Sequence, residues 1–221
     1  MARPRNPLLS RERIVAAALA VVDAEGLPAL STRRLAVELG VSGPSLYNHF
    51  GSMDELVDAL VDEVIGQVDL SMFAADRRVP WPEALRAWAR SYRAALVGHP
   101  RLVPALAQGP KRRPHWLHQA DVMFGALVAE GWPRGQATRI GALMRYYITG
   151  SALGSFALSF TEDGEPIESA DYPHLGEAHL LTDRQREIDE SAFELGLDSL
   201  IAGLTARYRE IAARPRQRLA D

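Results

Sequence analysis

The sequence contains no cysteine among its 221 residues. Disulfide frameworks, thiolate metal sites, iron–sulfur clusters and cysteine nucleophiles are therefore excluded. It also lacks a long apolar run. The longest charge-free stretch of the C-terminal half, residues 146–161, includes polar side chains and is shorter than the roughly 18 apolar residues of a membrane span. Since no convincing cleavage site follows the basic N-terminus, we expect a cytoplasmic protein without a membrane anchor.

The remaining composition is that of a folded protein, with 47% hydrophobic and 24% charged residues. The net charge of −3 is unevenly distributed along the chain. Residues 1–50 hold six arginines and four acidic residues, which gives +2, whereas the other 171 residues hold 19 basic and 24 acidic residues, which gives −5. An anionic partner is therefore expected to meet the N-terminal end.

Helical spacing of apolar residues dominates, and the alternation typical of β-strands is nearly absent. In the N-terminal part, apolar residues between Ile14 and Val22 predict a first helix that Ser10 caps and Gly26 ends. Three further helices are predicted from Ser31 or Thr32 to Gly40, from Ser42 to about Phe50, and from the capping box of Ser52 and Glu55 to about Val68.

The C-terminal part begins after a proline- and charge-rich break at residues 71–82. An acidic segment at 161–180, with six acids and no bases, predicts a long solvated loop. The last predicted helix, over 182–213, is expected to break near Asp189. The predicted helices run over 82–98, 101–108, 114–130, 133–160 and 182–213.

The window from Thr32 to Phe50, TRRLAVELGVSGPSLYNHF, predicts a helix-turn-helix. Gly40 supplies a left-handed turn conformation, and Ala36 is small enough for the next helix to cross close to it. The second helix of such a motif lies in the major groove of DNA. A helical hairpin without a special role is the alternative. The expected small core consists of Leu35, Leu39, Val41 and Leu46.

The side chains of the second helix suit a DNA duplex. Asn48 can form two hydrogen bonds with adenine, and Tyr47 and His49 can reach backbone oxygens. The other polar candidates are Arg33, which can reach a phosphate or guanine, and the short donors Ser42 and Ser45.

Residues 10–66 resemble the N-terminal domain of the TetR/AcrR family of bacterial transcription repressors, above all in the stretch LSTRRLAVELGVSGPSLYNHFGSMDELVDAL. The segments ending in ALVGHP, at 81–100, and FELGLDSLIAGL, at 193–204, are similar to the tetracycline-repressor subclass. The resemblance implies an all-α homodimer that binds a pseudo-palindromic double-stranded operator. It also implies that a small molecule in the C-terminal domain releases the DNA.

The resemblance implies a three-helix helix-turn-helix DNA-binding domain at residues 1–52, a connecting helix at 53–70, and a larger helical ligand-binding and dimerisation domain at 71–221. Two departures stand out: Met53 replaces a common lysine, and Gly43 has no side chain where many relatives read a base. The expected DNA-binding residues are Thr32, Arg33, Ser42, Gly43, Pro44, Ser45, Tyr47, Asn48 and His49.

Two helices of the C-terminal half carry small residues at helical spacing, which predicts close helix packing. They are Gly150 and Gly154 on one helix, and Gly196, Ser199 and Gly203 on another. In the related family, the corresponding helices form a four-helix dimer interface. A close contact within one chain is the alternative.

An apolar or aromatic effector of unknown identity is expected in the C-terminal domain, with ordinary core packing as the alternative reading of its aromatic residues. Leu106 stands where the tetracycline repressor uses a histidine to hold its magnesium–drug chelate, so tetracycline is not favoured. The predicted pocket residues are Trp88, Tyr92, Trp116, Gln119, Met123, Phe124, Met144 and Tyr147.

No metal, cofactor or catalytic site is predicted. His115 and His118 are three residues apart, but no HExxH pattern contains them, which favours a solvated or capping role. The sequence has no phosphate-binding loop, and GSALG at 150–154 has its serine in the wrong position for a nucleophile elbow. An enzyme is therefore not expected. The alternative to a regulator is a helical small-molecule-binding protein without DNA binding.

Overall fold

The structure is a computed structural model that describes residues 9–74, 76, 79–107, 113–154, 174 and 184–213. Within these ranges the regular structure is entirely helical, which confirms the predicted all-α class. The α-helices are α1 (Arg11–Glu25), α2 (Thr32–Leu39), α3 (Gly43–Tyr47), α4 (Met53–Gly66), α5 (Trp81–Gly98), α6 (Val103–Ala107), α7 (Pro114–Ala129), α8 (Arg134–Ala152) and α9 (Gln185–Ala213).

The described residues form two compact units. The first contains those of Met1–Val68 and Ala94–Gln119, and the second contains those of Asp69–Arg93 and Ala120–Asp221. The chain thus leaves the first unit close to the break predicted from its sequence. A segment that includes α6 and the start of α7 nevertheless belongs with α1–α4, which the linear domain scheme does not anticipate.

Local chemistry sets the starts of the N-terminal helices. The hydroxyls of Ser10, Ser31 and Ser52 accept hydrogen bonds from backbone N–H groups three residues ahead, at 3.2, 3.2 and 3.1 Å. Gly26 follows α1 with φ +88°, and Gly40 follows α2 with φ +65°. The predicted serine and glycine caps are confirmed. In the predicted capping box, however, the Glu55 carboxylate accepts the N–H of Gly51, one residue before the Ser52 cap.

The first unit buries the apolar faces of α1, α2 and α4 against one another. The buried residues of each helix recur every three or four positions, so they share one face of that helix. The fully buried side chains include Ile14, Ala18, Val22, Leu35, Leu60 and Val61.

Three predicted boundaries change. The third helix ends at Tyr47 rather than near Phe50, because the N–H groups of His49 and Phe50 both donate to the carbonyl of Leu46 and close a turn. Helix α9 is continuous through Asp189, so the break predicted there is wrong. Helix α8 ends at Ala152, with Leu153 as its C-cap residue, so the predicted helix 133–160 is too long and Gly154 lies beyond its end. Almost all of the predicted loop 161–180 lies outside the described residues.

In the second unit, α9 is held against α5 by ion pairs. Arg90 donates twice to the carboxylate of Glu194, at 2.8 and 2.7 Å, and Arg86 pairs with Asp198 at 3.1 Å. The bidentate bond from Arg90 holds the pKa of the Glu194 carboxyl below its usual value. These contacts join residues 112 and 104 positions apart, and they lie one turn apart on each of the two helices.

Gly196 of α9 is packed against Tyr147 of α8. The Tyr147 ring stacks on Phe193 with centroids 5.4 Å apart, and its hydroxyl donates to the Phe193 carbonyl at 2.5 Å. A Cβ atom at Gly196 would lie 2.9 Å from two ring carbons of Tyr147. The contact within one chain therefore accounts for this glycine.

We expect Gly196→Ala to destabilise the chain by about 1–3 kcal/mol, because the Tyr147 ring must leave its place and give up its hydrogen bond. Gly125→Ala in α7 is the matched control, since its new methyl would have no other atom within 4 Å. That control should be neutral or stabilising by up to about 1 kcal/mol. Denaturant unfolding at one protein concentration measures both variants, and equal behaviour would contradict the packing argument.

Candidate nucleic-acid interface

Helices α2 and α3 form a tight pair around Gly40. The N–H of Gly40 bonds to the Val37 carbonyl at 3.3 Å, and the N–H of Val41 bonds to the Ala36 carbonyl at 3.0 Å. Ala36 is buried, as expected for a residue at a close helix crossing. The helix-turn-helix predicted from the sequence is therefore present. Its buried apolar residues are Leu35, Ala36, Leu39 and Leu46, whereas Val41 is half-buried.

None of the nine predicted DNA-binding residues is turned into the protein interior. Tyr47 is 55% exposed, although its hydroxyl lies 3.2 Å from that of Thr32. This contact steadies the ring at the surface. The exposed members are Arg33, Ser42, Pro44, Tyr47 and Asn48, and the half-buried members are Thr32, Gly43, Ser45 and His49.

Ser42 stands at the N-cap position of α3 but makes no side-chain cap to the helix. Its hydroxyl instead lies 2.7 Å from the hydroxyl of Ser45. The two hydroxyls therefore hydrogen-bond to each other in the free protein. Either one can rotate to donate a hydrogen bond to an acceptor on a ligand.

Adjacent arginines on α2 have different surroundings. Arg34 is paired with Glu25 at 2.7 Å and with Glu38 at 2.8 Å, and these hydrogen bonds raise its pKa above the usual value. Arg33 is exposed and has no hydrogen bond or ion pair to the residues that the structure describes. Only Arg33 is therefore free to neutralise an external anion.

Met53 is half-buried at the start of α4, where the resemblance leads us to expect a lysine. The hydroxyl of Thr32 donates to its sulfur at 3.7 Å. The thioether thus takes part in the same small cluster as Thr32 and Tyr47, and it offers no charge to a phosphate.

Sequence analysis missed Arg11 at the start of α1. Its guanidinium donates to the carbonyl of His49, directly after α3, and pairs with Glu55 at 3.1 Å. An arginine at the first position of a helix carries no distinctive signal, because these partners lie 38 and 44 residues away.

The predicted pocket residues are divided between the two units. Trp88, Tyr92, Met123 and Met144 are buried in the second unit, and Gln119 is buried in the first. The remaining three, Trp116, Phe124 and Tyr147, are half-buried. The second unit also contains a cavity of about 570 Å³ whose walls include Met72, Phe73, Trp81 and Glu130, and none of the eight predicted residues.

Several buried polar atoms have no hydrogen-bond partner among the described residues. In the second unit these include the indole N–H of Trp88 and the hydroxyl of Thr149. An unmatched buried donor costs about 1–3 kcal/mol, so such atoms mark places where a ligand with an oxygen acceptor would be stabilised.

The predicted interface residues differ in whether their own chain fills the space beside them. Gly196 is packed against Tyr147 of the same chain, whereas Cβ atoms at Gly150, Gly154 and Gly203 would meet, beyond their neighbouring backbone, no described atom within 4 Å. Large apolar side chains are exposed beside them. Leu143 and Tyr146 lie on α8, Leu153 directly follows that helix, and Leu195 lies on α9, where Ser199 is also exposed.

His115 has a structural role at the start of α7. Its ring Nδ1 lies 3.0 Å from the Asp62 carboxylate, which also accepts the His115 backbone N–H at 3.1 Å. His118 is exposed. Across the described part of the chain, no group of three or more histidine or acidic residues is arranged to hold a metal ion.

Comparison with known proteins decides the family. The family model described as bacterial regulatory proteins, tetR family, matches residues 14–60, which contain the α2–α3 motif. A second model, described as tetracyclin repressor-like, C-terminal domain, matches residues 75–208. The chain belongs to the TetR family. The resemblance seen in its sequence is thereby confirmed, and this TetR-family protein is a DNA-binding transcriptional regulator.

Similar proteins extend over most of the TetR-family chain. Tetracycline repressor protein class E of Escherichia coli is 30% identical over 202 residues, covering 91% of this chain and 93% of the relative. A possible TetR family transcriptional regulator from Streptomyces coelicolor A3(2) has a TM-score of 0.74 at 29% identity, covering 89% and 99%. ActR of the same species, in complex with actinorhodin, has a TM-score of 0.70 at 31% identity, covering 90% and 98%.

These relatives are regulators rather than enzymes. Within the described ranges, none of the helices combines the length and the apolar character needed to cross a membrane.

Proposed function

We propose that this TetR-family regulator represses transcription as a homodimer on a pseudo-palindromic operator and is released by a small apolar or aromatic effector. The observation that carries DNA binding is the α2–α3 motif, which presents Arg33, Tyr47 and Asn48 at the surface of the first unit. The proposed contacts are those predicted from the sequence: Thr32, Arg33, Ser42, Gly43, Pro44, Ser45, Tyr47, Asn48 and His49.

The roles of these contacts follow from their chemistry. Arg33 is an unpaired cation and binds phosphate, whereas the Asn48 amide reads an adenine edge. Tyr47 contacts the DNA backbone with a hydroxyl that Thr32 already orients. Gly43 adds no side chain to this surface, so base discrimination depends mainly on its neighbours.

Exposed apolar faces on α8 and α9 support the dimer. Tyr146 is 72% exposed and Leu195 is 71% exposed, an arrangement typical of surfaces that a partner covers. The open glycines Gly150, Gly154 and Gly203 allow the helices of a second subunit to approach closely. The domain scheme that we propose keeps dimerisation in the C-terminal domain and DNA binding in residues 1–52.

The effector site that we propose lies in the C-terminal domain and uses the aromatic residues predicted above. The unmatched donors of Trp88 and Thr149 favour an apolar molecule with hydrogen-bond acceptors. Leu106 is buried and offers no metal ligand, so a magnesium–tetracycline chelate is not part of this proposal. ActR, one of the similar proteins, has been crystallised with actinorhodin.

Binding of the effector weakens binding of the operator, with a coupling free energy of about 1–3 kcal/mol. Helix α4 follows the motif directly, so a tilt of α4 would change the separation of the two reading helices. That separation must be about 34–36 Å for successive major grooves.

Operator binding is expected to weaken steeply with salt. If each subunit neutralises roughly three or four phosphates, the log–log slope for the dimer is about −5 to −7, at approximately 0.9 per phosphate. Arg33→Ala combined with Tyr47→Phe should weaken binding, and Arg33→Ala should reduce the slope by about 2 per dimer. Electrophoretic shifts at several salt concentrations, with duplex DNA from upstream of the protein's own gene, measure both effects.

Arg34→Ala is the matched control, because Arg34 is held by two carboxylates of its own chain and should leave the slope unchanged. A wild-type slope near zero would contradict the proposal. It would favour the alternative, a helical small-molecule-binding protein that does not bind DNA.

A further inference from the structure

Helix α3, which carries the DNA-facing side chains, is only five residues long. A helix this short is not stable on its own, so its direction depends on what holds its two ends. At the N-terminal end the Gly40 turn holds it to α2. The C-terminal end leads into a turn at residues 48–52, where the N–H groups of His49 and Phe50 donate to Leu46 but the His49 carbonyl and the Gly51 N–H need side-chain partners.

Arg11 and Glu55 supply those partners. The guanidinium of Arg11 donates to the His49 carbonyl, and its two terminal nitrogens lie 3.1 and 3.2 Å from one carboxylate oxygen of Glu55. The other oxygen of Glu55 accepts the Gly51 N–H at 2.8 Å. The pair therefore bonds the turn after α3 at two separate backbone groups.

The Arg11 fork is also stacked on the core. Its central carbon lies 4.0 Å from the centroid of the Phe50 ring, and Phe50 is buried. The Gly51 N–H and Arg11 hold the pKa of the Glu55 carboxyl below its usual value, so the pair is fully charged at neutral pH. The Arg11 side chain is 49% exposed, but its terminal nitrogens donate to groups of its own chain, unlike those of Arg33.

We infer that Arg11 and Glu55 are positioning residues for operator recognition: they fix the exit of α3 and thereby aim Tyr47, Asn48 and His49 at the DNA, without contacting DNA themselves. The inference rests on the proposed DNA binding. It distinguishes two arginines of the first unit by role. Arg33 supplies affinity for any duplex, whereas Arg11 supplies discrimination between sequences.

The test uses full-length protein and two duplexes of equal composition, one selected by the wild type from random sequence and its scrambled counterpart. The double variant Arg11→Met with Glu55→Gln keeps the net charge and the apolar stem over Phe50. We expect its ratio of selected to scrambled affinity to fall at least about tenfold, while scrambled binding and the salt slope stay unchanged. A purely structural role would lower both affinities together and leave the ratio unchanged.

Two further variants complete the test. Arg11→Lys keeps the charge but loses the planar guanidinium. Its ratio of selected to scrambled affinity should therefore fall as in the double variant. The equally neutral pair Arg90→Met with Glu194→Gln removes a bidentate ion pair of similar exposure in the second unit and should leave the ratio at its wild-type value.

The inference is overturned if the double variant keeps the wild-type ratio. It is also overturned if Arg11→Lys keeps the wild-type ratio. A salt slope lowered by about 2 per dimer on loss of Arg11 would overturn it too, since Arg11 would then contact phosphate directly. A wild type that selects no duplex would instead refute the proposed function, so the two failures are distinguishable.

Discussion

Replacing Asp58 with alanine is expected to lower the free energy of unfolding by about 3 kcal/mol, because it strands a buried arginine. The carboxylate of Asp58 pairs with Arg113 at 3.0 Å, and the Arg113 side chain is only 6% exposed. The Nε of Arg113 already has no partner among the described residues, so loss of Asp58 would leave a second nitrogen of this buried guanidinium without its partner. Asp58 itself is partly exposed, which places the cost at the lower end of the range for a broken buried pair.

Denaturant unfolding at a fixed protein concentration measures this cost. Asp54→Ala on the same helix is the matched control: Asp54 is exposed, and its loss should cost about 0.5 kcal/mol through the helix dipole alone. The apolar pair Asp58→Leu with Arg113→Met should recover most of the stability, since it leaves no unpaired charge. A single Asp58 variant as stable as the Asp54 control would show that the pair does not anchor α4 to the start of α7.

Replacing Gly203 with glutamate is expected to separate the proposed dimer into monomers and to weaken operator binding at least about a hundredfold. No side chain of the described residues lies within 4 Å of a Cβ atom at Gly203, so the new side chain fits a monomer. In a close helix–helix interface the same carboxylate would be buried without a partner. Loss of the second subunit removes the second half-site contact, and with it an avidity of about 10² to 10⁴.

Light scattering gives the mass, and electrophoretic shifts give the operator affinity. Ala212→Glu introduces the same group on the same helix, at an exposed position nine residues on, which is about 180° around the helix. That control should remain a dimer and bind the operator normally. An unchanged mass for the Gly203 variant would remove α9 from the proposed interface.

Many of the helix caps and turns of the first unit can be predicted from residues that are close in the sequence. The serines at positions 10, 31 and 52 bond N–H groups three residues ahead, and the left-handed Gly40 follows from the turn it must make. Such contacts are local and therefore leave a pattern in the sequence. The end of α3 is harder to place, since His49 and Phe50 close a turn that helical spacing does not reveal.

The candidate site likewise has features that neighbouring residues predict and features that they do not. Exposure of Tyr47 and Asn48 follows from the spacing of the motif, because its buried positions occupy the opposite face. The pattern TRR, however, does not say which arginine is free. Arg34 is paired with Glu25 of another helix, and this contact distinguishes it from Arg33, the arginine that we propose binds DNA.

Residues adjacent along this chain thus predict where its helices lie, most of their caps and the family to which it belongs, because capping and helical spacing act over three or four positions; they do not predict where α3 and α8 end. The contact of Arg11 with His49, the pairing of Asp58 with Arg113 and the packing of Gly196 against Tyr147 follow from the folded arrangement. Their partners lie 38 to 55 residues apart, and no local preference selects among the many side chains that such a distance permits.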